Sequence, residues 1–100
     1  MKCEIQKGKE GTRVIPEGDI DMHSSGEFRA ILRNVVDEKP AQIIVDLSRV
    51  PFMDSSGIAT MVESLKLSRK SGGGLRIVNC QEAVRDVLDI AGLTKILGVS

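Results

Sequence analysis

Five consecutive residues, Ile43-Ile44-Val45-Asp46-Leu47, are apolar but for one, and they stand between two segments of helical periodicity. A short, nearly continuous apolar run of this kind reads as a strand covered on both faces, which is the habit of parallel sheets. Ahead of it, Phe28, Ile31, Leu32, Val35 and Val36 fall at i, i+3, i+4, i+7 and i+8, one face of a helix that Lys39-Pro40 must stop. Ser24 and Glu27 have capping-box spacing at its start. Behind the run, Ile58, Met61, Val62 and Leu65 repeat the helical spacing. Ser71-Gly72-Gly73-Gly74 closes that second helix, whose last turn carries Lys66, Arg69 and Lys70 to suit the dipole. Leu75 to Val78 forms another strand. Val84, Val87, Leu88 and Ala91 then define a third helix, closed by Gly92 with Leu93 as the following apolar contact.

Strands alternating with helices require crossover connections, and these produce parallel pairing. Met1 to Lys7 and Arg13 to Glu17 read as a hairpin around the Gly8–Gly11 turn, with Pro16 restricted to a strand edge or end. The expected fold is therefore α/β: a small mixed, mainly parallel β-sheet with helices packed on it. Residues 1–100 form one domain, long enough for a single core. Thr94 to Val99 carries no pattern that assigns it.

The charge balance narrows the partners. Fourteen basic and 14 acidic side chains give a formal net charge of zero, without the basic excess that phosphate-backbone binding needs. Phe28 and Phe52 are the only aromatics, so stacking platforms for bases are lacking. No nucleic acid partner is expected. No apolar run approaches the roughly 18 residues that span a bilayer, and Met1-Lys2-Cys3-Glu4-Ile5 lacks the apolar stretch of a signal peptide. A cytoplasmic protein without membrane insertion is the expectation. Cys3 and Cys80 match no metal or redox spacing and read as reduced, partly buried thiols.

The chemistry gathers in Val50-Pro51-Phe52-Met53-Asp54-Ser55-Ser56-Gly57-Ile58. This turn follows the Ile43–Leu47 strand, so it lies at the carboxyl end of the sheet, where α/β proteins build their sites. Two hydroxyls, a carboxylate and a glycine thus fall at a helix N-terminus, where free N–H groups and the dipole favour a phosphate. The bland reading is capping, since Asp54 and Ser55 are both favoured N-cap types, with Ser56 a second capping or first-turn residue. Gly57 permits a close approach. Topology allows the loop Gly18 to His23 to lie alongside. Phe52 and Met53 are most simply core residues; exposed, they would anchor a partner.

Other chemistries fit less well. Asp19, Asp21 and Asp46 form an acidic rim rather than a recognisable metal-ligand set, and no metal or cofactor is expected. A Ser55–His23–Asp triad lacks the Gly-x-Ser-x-Gly elbow. A receiver-type phospho-aspartate at Asp46 lacks a lysine after the Leu75–Val78 strand, where Asn79-Cys80 stands. The three glycines at 72–74 follow a helix rather than precede one and so form no P-loop.

Four segments in order resemble one family. Ile44-Val45-Asp46-Leu47 through Phe52-Met53-Asp54-Ser55-Ser56-Gly57 is similar to the anti-sigma-factor antagonists, the stand-alone STAS domains of bacterial partner-switching systems. Glu17-Gly18-Asp19-Ile20-Asp21 resembles the family's glycine–acid–aliphatic–aspartate turn. Lys70-Ser71-Gly72-Gly73-Gly74-Leu75 resembles its glycine break before the last long strand, and Val87 to Leu93 its C-terminal helix end. Pro16 is a departure from the pattern just before the first turn. The resemblance covers nearly the whole chain and implies a binding protein, not an enzyme.

In the family, the serine directly after the aspartate is phosphorylated, which is Ser55 here, with Ser56 the fallback. The resemblance implies that the unphosphorylated protein binds an anti-sigma factor that is also a serine kinase and so frees a sigma factor. Phosphorylation by that kinase reverses the binding, and a PP2C-type phosphatase resets the switch. Asp21, Asp54, Ser55, Ser56, Gly57 and Ile58 are the expected partner-binding residues. The alternative is a constitutive STAS interaction subunit of a signalling or transport complex, without serine phosphorylation.

Overall fold

The computed structural model describes residues 1–100. Its elements run β1 (Lys2–Gly8), β2 (Gly11–Glu17), α1 (Ser25–Asp37), β3 (Ile43–Asp46), α2 (Ser55–Lys70), β4 (Leu75–Val78) and α3 (Glu82–Ile90). The strands lie in sequence order in one sheet. β1 and β2 form an antiparallel hairpin closed by Gly8 opposite Gly11, while β2–β3 and β3–β4 are parallel. Helices α1 and α2 are the crossovers that parallel pairing demands. Pro16 stands on an inner strand, not an edge. β2 pairs with β3 only over Thr12–Val14, so the missing N–H of Pro16 falls beyond that ladder.

Strand alternation divides the sheet into two unlike faces. Val14, Ile43, Val45, Leu75 and Ile77 enter one apolar cluster with Phe28, Leu32, Val35 and Val36 of α1, Met61 and Leu65 of α2, and Val84 and Leu88 of α3. Burying that set supplies most of the driving force for folding. The other face carries Arg13, Ile15, Ile44, Asp46, Arg76 and Val78, of which Ile15, Ile44 and Val78 are buried yet stand outside the cluster. β3 is covered on both faces, as its apolar run implies, but only one of the two is covered by this helix-packed cluster. β3 is buried throughout because it lies between two neighbouring strands and its second face is laced with long polar side chains.

That second face is held by charge. Asp46 accepts from Arg13 Nη1 at 3.0 Å, Asn79 Nδ2 at 3.1 Å and the Ser48 amide at 2.9 Å. Burial pushes the Asp46 carboxyl up. The Ser48 amide and hydroxyl, Asn79 and Arg13 outweigh it and hold the group below its usual range. The residue considered as a phospho-acceptor is therefore a fully engaged structural carboxylate.

The helix ends follow local chemistry. Gly72, at φ 85°, supplies the left-handed residue after α2, and the Gly73 amide returns to Ser68 O at 2.9 Å. Gly92, at φ 71°, does the same for α3, with the Leu93 amide reaching Leu88 O at 3.0 Å, while Ala91 is exposed rather than part of the buried stripe. At α1 the capping box does not form. Ser24 has helical φ/ψ, so its hydroxyl turns back to Asp19 O at 2.8 Å instead of forward to the helix. Its amide goes to Asp21 rather than to Glu27. Beyond α3, the unassigned C-terminal segment lies along the outer edge of β4: Ile77 N donates to Leu97 O at 2.9 Å, and Ser100 N to Ile77 O at 3.1 Å. Leu97 is fully buried in the cluster. No helix is long and apolar enough to cross a membrane.

Candidate functional site

Asp54 caps α2. Its backbone is extended, with φ −102° and ψ −172°, and its Oδ1 accepts the Ser56 amide at 2.9 Å. The Ser56 hydroxyl donates to the same oxygen at 2.5 Å. This hydroxyl contact, with further help from the backbone amides of Ser56, Gly57 and Met22, holds the Asp54 carboxyl below the usual carboxylate range. The two capping readings of the sequence thus resolve: Asp54 is the cap and Ser55 is the first helical residue. Ser55 is exposed, and its hydroxyl has no hydrogen-bond partner within the protein. The two neighbouring serines are therefore unequal, one tied to the cap and one presented outward.

The loop after β2 is joined to this turn by backbone. Ile20 and Met53 form a parallel bridge: the Ile20 amide donates to Phe52 O at 3.0 Å and the Asp54 amide to Ile20 O at 3.1 Å. Both bridge side chains point inward and are buried. By alternation their neighbours Asp19, Asp21, Phe52 and Asp54 point outward. Asp21 is thereby brought beside the turn. Its carboxylate is spent on a turn of its own, accepting from the His23 amide at 2.9 Å and the Ser24 amide at 3.3 Å. The carboxylate that a triad would need thus serves the His23 backbone rather than its ring.

Gly57 sits over that bridge. A Cβ there would lie 2.6 Å from Met53 Cγ and 2.9 Å from Ile20 Cγ2, so the absence of a side chain lets α2 start directly on the bridged loops. The close approach expected from the sequence is thus one of the helix backbone onto side chains of the core. Ile58 is half-buried against the core cluster and offers only part of its surface.

Phe52 departs from the expectation of a core residue. It is 48% exposed, and Met22 on the joined loop is 75% exposed, whereas Met53 is buried. Once Met53 is inward, strand-like alternation forces Phe52 outward. The turn therefore presents Ser55 among acidic side chains and two apolar ones, a composition suited to contact with another macromolecule. Met22 was absent from the residues singled out in the sequence; its sign was a large apolar side chain in a polar loop. The groups that could hold a divalent metal do not assemble: Asp46 belongs to the sheet face, and Asp21 and Asp54 each bind backbone amides.

Comparison with known proteins agrees with this geometry. The STAS domain family model matches residues 6–100. The anti-sigma-B factor antagonist of Bacillus subtilis is 30% identical over 100 residues, covering 100% of this chain and 91% of that protein. The anti-sigma F factor antagonist of Paenibacillus polymyxa is 29% identical, covering 99% of this chain and 86% of its own length. The crystal structure of an anti-sigma factor antagonist from Mycobacterium paratuberculosis superposes with a TM-score of 0.89 at 23% identity, over 98% of this chain and 83% of that one. The chain belongs to the STAS domain family.

Proposed function

We propose that the protein is an anti-sigma-factor antagonist working by partner switching. In its unphosphorylated form it binds an anti-sigma factor that has serine kinase activity, and so releases the sigma factor. Phosphorylation of Ser55 ends the complex, and a PP2C-type phosphatase restores the binding form. The protein acts as ligand and substrate, not as catalyst. Family membership and the names of the relatives support the class of partner. The observation that carries the site is the free, outward hydroxyl of Ser55 beside a Ser56 hydroxyl tied to Asp54.

The physics of such a switch is local. A phosphate adds about −1.5 to −2 charges. At the first residue of α2 the helix dipole favours that charge, so the domain keeps its fold. The effect falls on the partner surface. Burying an unpaired, doubly charged group costs at least several kcal/mol, and about 3–4 kcal/mol lowers affinity by two to three orders of magnitude. Ionised Asp54 beside it adds like-charge repulsion.

Incubation with ATP, Mg²⁺ and each anti-sigma serine kinase of the source organism, followed by fragment mass spectrometry, tests the reading. One phosphate on Ser55, absent in Ser55→Ala, is expected. Binding to such a partner with no phosphate from any kinase would replace the reading with a constitutive interaction subunit.

A further inference from the structure

We propose that Asp54 determines which of the two adjacent serines accepts the phosphate, by withholding Ser56 and leaving Ser55 as the acceptor. The inference rests on the phospho-switch reading above and adds to it the residue that sets its regiochemistry. Ser55 and Ser56 carry the same functional group on successive residues, so a kinase that reaches the turn meets both. Helix dipole and backbone amides favour a phosphate at either position and do not choose between them. The difference lies in Asp54, whose Oδ1 takes both the amide of Ser56 at 2.9 Å and its hydroxyl at 2.5 Å. Ser55 makes no such contact and is the more exposed of the two.

The transfer itself sharpens the distinction. The serine Oγ bonds to the γ-phosphorus of ATP, the bond from that phosphorus to the β–γ bridging oxygen breaks, and ADP leaves with the electron pair. The hydroxyl proton passes to a base of the kinase. On Ser56 this removes the one proton that makes the contact with Asp54 attractive. It also places a phosphate against a carboxylate in a contact of hydrogen-bond length, where like charges repel strongly. The cap would have to open. Asp54 does not assist by taking the proton, because the Ser56 hydroxyl and the surrounding amides hold it in its ionised, weakly basic form. On Ser55 the same transfer breaks no hydrogen bond of the cap.

Asp54→Asn provides the test, since asparagine keeps an oxygen to cap the Ser56 amide and removes the charge. Wild type, Ser55→Ala, Asp54→Asn and the double variant Asp54→Asn/Ser55→Ala are incubated with ATP, Mg²⁺ and the anti-sigma kinase, and phosphates are localised by fragment mass spectrometry. Circular dichroism checks that α2 is retained. The double variant is expected to take phosphate on Ser56 at about tenfold or more the level seen in Ser55→Ala. Asp54→Asn alone should carry phosphate on both serines.

Phosphate on Ser56 of Ser55→Ala, with Asp54 in place, at the level reached in the double variant would overturn the proposal and leave the switch intact. So would an unmodified double variant when Asp54→Asn is still phosphorylated at Ser55 alone. A wild-type protein that takes no phosphate would remove the switch reading and this proposal together.

Discussion

The amide of Asp54 donates to the carbonyl of Ile20 at 3.1 Å, so the cap of α2 and the acidic loop after β2 are fastened by backbone. Two segments more than 30 residues apart in sequence therefore form one surface. The positions of Asp21, Met22, Phe52 and Ser55 relative to one another are set by the main chain rather than by mobile side chains. A binding partner meets a preformed patch, which lowers the ordering cost of binding.

Gly57 tests whether that patch depends on close packing. In Gly57→Ala the new methyl meets Met53 Cγ at 2.6 Å and the stiff β-branched Ile20 at 2.9 Å. Helix propensity favours alanine by about 1 kcal/mol, but overpacking of this kind costs about 1–3 kcal/mol. The variant is expected to be less stable than wild type by up to about 2 kcal/mol in urea unfolding.

Asp46 links stability to pH. Its folded-state carboxyl lies below its ordinary value, so its contribution is present above the unfolded value of about 3.9 and is lost as pH falls through the folded one. Asp54 has the same direction. The urea midpoint should be flat near neutrality and fall in acid below about pH 4. Asp46→Asn should lower the unfolding free energy at pH 7 by about 1–2 kcal/mol, since Arg13 keeps access to solvent. The variant's acid dependence should be weaker than that of wild type.

Phe52 separates binding from folding. Nearly half exposed, it contributes modestly to the core. Phe52→Ala is expected to leave the melting temperature within a few degrees of wild type while weakening the anti-sigma-factor complex by about tenfold or more in calorimetry.

Much of the architecture was legible because it rests on periodicity. The α1 stripe of Phe28, Leu32, Val35 and Val36, the buried run at β3 and the glycine closures of α2 and α3 all follow from spacing and turn chemistry. The buried side of α2 was less so. Besides Met61 and Leu65 it buries Gly57, Thr60, Ser64 and Ser68, while Ile58 and Val62 are only half-buried. Polar residues read as solvent-facing, yet Thr60 donates to Ser56 O at 2.9 Å and Ser68 to Gly74 O at 3.0 Å, so small hydroxyl residues can be buried there. Their spacing at 60, 64 and 68 was the available sign.

At the site, the Asp-Ser-Ser-Gly turn and its place at the sheet's carboxyl end could be read directly. The outward Phe52 depends on the Ile20–Met53 bridge, a pairing between distant segments that no local pattern announces. The C-terminal segment makes its own turn bonds, Leu97 N to Leu93 O at 3.0 Å and Val99 N to Thr94 O at 2.9 Å, but its docking on Ile77 is again a pairing with a distant strand that no local pattern announces.

The most direct test is the affinity of one anti-sigma-factor partner for the unmodified protein and for protein phosphorylated at Ser55, measured side by side by calorimetry. A loss of two to three orders of magnitude on phosphorylation, corresponding to about 3–4 kcal/mol, with circular dichroism unchanged, is expected. Equal affinities for the two forms would contradict the account.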